Sequence, residues 1–114
     1  MYRSARHTAL LIALLLKRSG KRAIRVSERT FKKLGDRDRI RSAFVVEVQL
    51  EAMSLGVILA ELNRGGFGAT WASPLEGAPS VTAKTLIPLA DRNRLDENAI
   101  LKELDLKADD DDDE

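Results

Sequence analysis

The run ALLIALLL, Ala9 to Leu16, lies between Arg3 and Arg6 on one side and Lys17-Arg18-Ser19-Gly20-Lys21-Arg22 on the other, and no other stretch limits the fold as strongly. It is too short to span a bilayer, which takes about 20 apolar residues. Positive charge directly after it, with no small-residue cleavage site, opposes reading it as a signal peptide. No membrane association is therefore expected. What remains is a core helix from about Ala5 to Arg18, with Lys17 and Arg18 complementing the negative end of its dipole and Gly20 near its stop. Being apolar nearly all round, this helix is expected to be covered on more than one side.

A chain of 114 residues can bury one such helix in one core, with a tail. Aromatics are only 4% of it, so aliphatic side chains must supply most of the burial and broad stacking platforms for single-stranded nucleic acid are disfavoured. Cysteine is absent, which excludes disulfide frameworks and thiolate zinc sites and suits a cytoplasmic setting. The single histidine, His7, excludes a two-histidine metal site and most nucleophile–imidazole pairings. No metal, cofactor or catalytic constellation is expected, and a non-enzymatic protein is the reading that follows. Asp36-Arg37-Asp38 reads as a polar turn, not as a metal site. Gly65-Gly66-Phe67-Gly68 lacks the strand-loop-helix surroundings of a phosphate loop.

After the first helix, Ala23-Ile24-Arg25-Val26 alternates as a short strand. Ser27 then offers an N-cap, and Glu28 to Leu34 fits a short helix burying Phe31 and Leu34, with Gly35 at the left-handed C-cap position. Asp38 is placed to cap a further helix beginning at Arg39. Within it, Val46 to Ala52 alternates in the manner of a strand, whereas Gln49, Leu50, Glu51, Ala52 and Met53 are helix formers and Gly56 stands where a helix would stop; helix is preferred. On a helical wheel Phe44, Val48, Ala52 and Leu55 share one face, and Ala43, Val46, Leu50 and Met53 a second. Val57 to Leu62 and Phe67 to Ala72, joined by Asn63-Arg64-Gly65-Gly66, form a hairpin signal, because asparagine and glycine tolerate the positive φ of tight turns.

Helix, short strand, helix, turn, longer helix and hairpin, in that order over residues 5 to 73, resemble a winged helix-turn-helix protein. The resemblance implies an α+β, mainly helical winged helix-turn-helix domain over residues 1–73 with a small β-hairpin wing, followed by a C-terminal extension. It makes Ser27 to Leu34 the supporting helix, the segment from Arg39 the recognition helix and Asn63 to Gly66 the wing tip, and its partner duplex DNA. Glu47 and Glu51 would lie along that recognition helix and disfavour phosphate, so only its first turn is suited to DNA.

Charge agrees with such a partner. Residues 1–41 carry a net +10 and residues 42–114 a net −9, although the whole chain is only +1. Arg37, Arg39 and Arg41 cross the start of the third helix, where arginine can fork onto guanine O6 and N7, and Ser42 adds a hydroxyl. Arg29, Lys32 and Lys33 suit phosphate anchoring, and Arg64 at the hairpin tip suits the minor groove or backbone. The competing reading pairs Arg37 and Arg39 with Asp36 and Asp38.

Beyond Pro74, residues 74–94 read as loop with an edge strand at Val81 to Ile87, stopped by Pro88. Residues 95–108 read as a short amphipathic helix, with Leu95 and Ile100 stapled around an Asp96 cap and Leu101 and Leu104 on one side. Asp109 to Glu114 is an acidic run expected to be disordered and able to compete for the basic face. The expected function is sequence-specific duplex-DNA binding by a transcriptional regulator. It would act as a homodimer through Val46, Leu50, Met53, Leu101 and Leu104, an apolar set that should be buried between elements or subunits. The alternative is a protein-interaction adaptor or inhibitor on the same scaffold.

Overall fold

A computed structural model describes residues 2–106. Ser4 accepts a hydrogen bond from the His7 amide at 3.0 Å and so begins α1, Ala5–Ser19, which ends where Gly20 turns left-handed at φ 68°. Thr8, Ala9, Ile12 and Leu16 are its buried face, and the Thr8 hydroxyl is satisfied by donating to the Ser4 carbonyl. The opposite face carries Leu10, Leu14 and Leu15 in solvent, so the expectation of cover on several sides is not met. The sheet, α2 and α3 all contact this helix.

Strand β1, Ala23–Val26, leads into α2, Glu28–Gly35, whose Ser27 cap accepts from the Thr30 amide at 3.1 Å. Asp36, not Gly35, takes the left-handed position at φ 53°. Gly35 instead lets a ring approach: a Cβ there would lie 3.3 Å from the Phe44 ring. Helix α3 runs Ser42–Ser54 and begins three residues later than the sequence suggests, with Arg41 at the cap position and no side-chain cap bond. Asp38 and Arg39 lie before it in an irregular turn whose half-buried Ile40 packs on the core. The alternating segment is helical throughout, because Phe44, Val45, Val48 and Ala52 then all face inward.

Strands β2, Val57–Glu61, and β3, Phe67–Trp71, pair antiparallel with Val57 opposite Trp71 and Glu61 opposite Phe67. Strand β1 joins the other edge of β3, giving an antiparallel sheet of order β1-β3-β2 and making the whole an α+β fold. Phe31 ties the layers together, stacked on Phe67 with centroids 4.4 Å apart and edge-on to Phe44 at 6.0 Å. At the hairpin, Gly66 has φ 76° and a Cβ there would meet the Val26 carbonyl oxygen at 3.0 Å, whereas one at Gly20 would meet nothing within 4 Å. Gly66→Ala is therefore expected to cost more than the ~1–2 kcal/mol of a left-handed alanine alone, and Gly20→Ala no more than that. Thermal melts of the two variants check the order.

This first compact unit extends to Ala78 and includes a short α4, Ser73–Glu76, where loop was expected; Pro74 fits its first turn because the missing N–H is not needed there. The second unit begins at Pro79. Val81 to Ile87 is not a strand: Thr82 accepts from the Thr85 amide and starts α5, Ala83–Leu86, a local bond available without a neighbouring strand. Helix α6, Leu89–Arg94, was not anticipated, and α7, Glu97–Glu103, starts at the expected Asp96 cap, which accepts from Ala99 at 2.8 Å. Leu95 and Ile100 meet around a hollow of 230 Å³ shared with Leu86, Ile87 and Leu104. No described side chain of this unit is fully buried. The acidic run Asp109 to Glu114 lies outside the described residues. Among the described residues no helix is long and apolar enough to cross a membrane.

Candidate nucleic-acid interface

The last turn of α2 and the start of α3 form a corner, and the cap arrangement explains its exposed cations. Ser27 fixes the register of α2, which puts Phe31 into the core and leaves Arg29 and Lys33 in solvent with Lys32 half-buried. The turn after Asp36 then carries Arg39 and Arg41 outward, with Ser42 exposed in the first turn of α3. None of Arg29, Lys32, Lys33, Arg39, Arg41 and Arg64 forms an ion pair among the described residues, and neither does Asp38. The first amide groups of α3 meet no side-chain cap, so their partial positive charge adds to that of the side chains.

Two hollows meet at this corner and share Asp38 and Arg39. One, of 250 Å³, is lined by Tyr2, Arg37, Asp38, Arg39 and Arg41. The other, of 380 Å³, brings Lys32, Arg39 and Ser42 together but also Glu28, Asp38 and Glu61, so its positive character is offset. Arg29, Lys33 and Arg64 line neither. Arg64 stands exposed at the hairpin tip between β2 and β3.

Arg37 does a different task from its neighbours. Its guanidinium lies 3.5 Å from the Phe44 ring centroid and 4.7 Å from that of Tyr2, and it donates to the Arg3 carbonyl at 3.1 Å. Its Nε is buried without an acceptor among the described residues. Arg3 returns the arrangement by donating to the Lys33 and Leu34 carbonyls at the free end of α2. Tyr2 and Arg3 come from the N-terminal segment, more than 30 residues from Arg37 in sequence, and no local pattern marks either for this role. Arg37→Ala is expected to destabilise the fold by about 1–3 kcal/mol through the lost cation–π and carbonyl contacts. Arg39→Ala should stay within about 0.5 kcal/mol. Urea unfolding of both variants separates the two roles.

The remaining outward surface of α3 differs in kind. Ala43, Val46, Leu50 and Met53 are exposed, and the charges on this helix are Glu47 and Glu51. The apolar face expected to be buried is thus exposed, and in the second unit Leu104 is exposed too, with Leu101 half-buried. Trp71 is half-buried against the core, and among the described residues no group of three His, Cys, Asp or Glu side chains is placed to hold a metal ion. Comparison with protein families, with curated proteins and with solved structures gives no match.

Proposed function

We propose that the protein binds duplex DNA through the corner between α2 and α3, as a winged-helix type of transcriptional regulator in the cytoplasm. The observation that carries this is the set Lys32, Arg39 and Arg41 beside the uncapped start of α3, with exposed Lys33 on the last turn of α2 and, among the described residues, no acid paired to any of the four. Cations that are not held in ion pairs release counterions from phosphate at no cost in broken pairs. Element order supports the same reading: α1, β1, α2, α3 and a hairpin follow the winged-helix sequence, with Arg64 at the wing tip. Contact is phosphate-dominated, because past Ser42 the outward face of α3 has no cation to offer a groove. Arg39 and Arg41 are the base-reading candidates, Ser42 a supporting hydroxyl, and Arg29, Lys32 and Lys33 anchors. A homodimer would double the number of such contacts.

Fluorescence anisotropy of labelled duplex DNA, titrated at about 50 and about 200 mM salt, tests the proposal. A steep loss of affinity between the two is expected. No binding at the lower salt, or binding indifferent to salt, overturns it. One observation favours a second reading, a protein-interaction adaptor: the exposed Val46, Leu50 and Met53 are the chemistry of a protein interface more than of a DNA groove.

A further inference from the structure

Helices α1 and α3 pack on each other, and both leave an apolar strip in solvent. On α1 the strip is Leu10, Leu14 and Leu15, with Leu10 44% exposed; on α3 it is Val46, Leu50 and Met53, at 52%, 67% and 55%. Six large apolar side chains on two adjoining helices are more than the scattered exposure ordinary on a monomer. Their charges are opposite. Helix α1 contains Arg6, Lys17 and Arg18 and no acid, whereas α3 contains Glu47 and Glu51 and no Lys or Arg. Within one chain the two helices already use this chemistry, for Arg6 Nη1 donates to Glu51 Oε1 at 3.2 Å.

We propose that this surface binds a second copy of the chain, with α1 of each copy laid across α3 of the other. A two-fold contact must complement itself, so the partner of each strip has to be present on the same surface. Facing α1 with α1 would oppose Arg6, Lys17 and Arg18 to their own copies, and facing α3 with α3 would oppose Glu47 and Glu51 to theirs. The reciprocal arrangement sets apolar strip on apolar strip and base against acid in both halves, which a foreign partner would have to reproduce on both helices at once. The proposal is independent of DNA binding. Val46, the residue of the strip nearest the corner, lies about 6 Å along the helix from Ser42, at a rise of 1.5 Å per residue, and Leu50 about 12 Å.

Sedimentation velocity of the full chain from about 1 to about 100 µM gives the first readout, and a concentration-dependent dimer is expected. Leu10→Glu and Leu50→Glu each place a charge in both seams of the dimer and should raise its dissociation constant by about tenfold or more. Circular dichroism checks that both variants keep their helices. Mixing Leu10→Glu with a Leu50→Lys variant, which alone should also dimerise weakly, then decides the geometry: in a mixed dimer the new acid and the new base fall in one seam and the other seam is unaltered, so association should recover towards that of the wild type. A wild-type chain that stays monomeric over the range overturns the proposal, as does a folded Leu50→Glu variant that dimerises normally. Failure of the mixture to recover overturns the reciprocal arrangement. DNA titration of the same monomeric variants shows separately whether the corner binds.

Discussion

Replacing Lys32, Lys33, Arg39 and Arg41 together by alanine is expected to remove detectable binding to duplex DNA at about 150 mM salt. If each cation displaces one counterion, the slope of log affinity against log salt becomes shallower by about 0.9 per residue, or about 3.6 for the four. Arg39, Arg41 and Lys33 are exposed, Lys32 is half-buried, and none is in an ion pair among the described residues, so the melt of this variant should stay close to that of the wild type. Single changes divide the roles. On a preferred site obtained by selection from random duplexes, Arg39→Ala and Arg41→Ala should lose more affinity than on unrelated DNA, by about 1–3 kcal/mol for a lost bidentate guanine contact. Lys32→Ala, Lys33→Ala and Arg64→Ala should weaken both DNAs alike and flatten the salt slope by about one unit each. Equal losses on both DNAs for Arg39 and Arg41 make them phosphate anchors as well. A quadruple variant that binds as the wild type does sinks the DNA reading and leaves the adaptor.

Phe31→Ala should cost about 3–5 kcal/mol and leave much of the chain unfolded at 37 °C. Phe31 is fully buried, stacked on Phe67 of β3 and edge-on to Phe44 of α3, so it holds α2 to both other layers. Small domains have only about 5–15 kcal/mol in total, so this one truncation removes a large share. Phe31→Leu keeps most of the volume and should cost less, losing mainly the ring geometry. Trp71, the single tryptophan, packs against the same core and reports the transition by fluorescence in urea. A loss under about 1 kcal/mol for Phe31→Ala would mean that the three rings do not hold the layers together. Because Phe44 also carries the Arg37 guanidinium, the same core sets the position of the corner.

What could be read from the order of residues alone was what short-range bonds decide. The Ser27 and Asp96 caps, the stop of α1 near Gly20 and the Asn63 to Gly66 turn each involve groups three or four residues apart, so residue type and spacing suffice. The exposed cations of α2 and of the turn before α3 were visible for the same reason. Val46 to Ala52 was not settled locally, since its alternation fits a strand and its residue types fit a helix. Packing decided it, by burying Phe44, Val48 and Ala52 and letting the Gln49 amide donate to the Leu59 carbonyl at 3.1 Å. Val81 to Ile87 looked like a strand because hydrophobicity and a following proline describe a strand's composition without supplying the neighbour it must pair with. Arg37 looked like its companions Arg39 and Arg41 until Tyr2, Arg3 and Phe44 were brought around it. The sequence by itself determined the caps of α2 and α7, the hairpin turn and which segments carry charge. Only the tertiary structure decided which faces are covered and which cation is spoken for, because burial and side-chain pairing depend on residues far apart in sequence that the fold alone brings within a few ångströms.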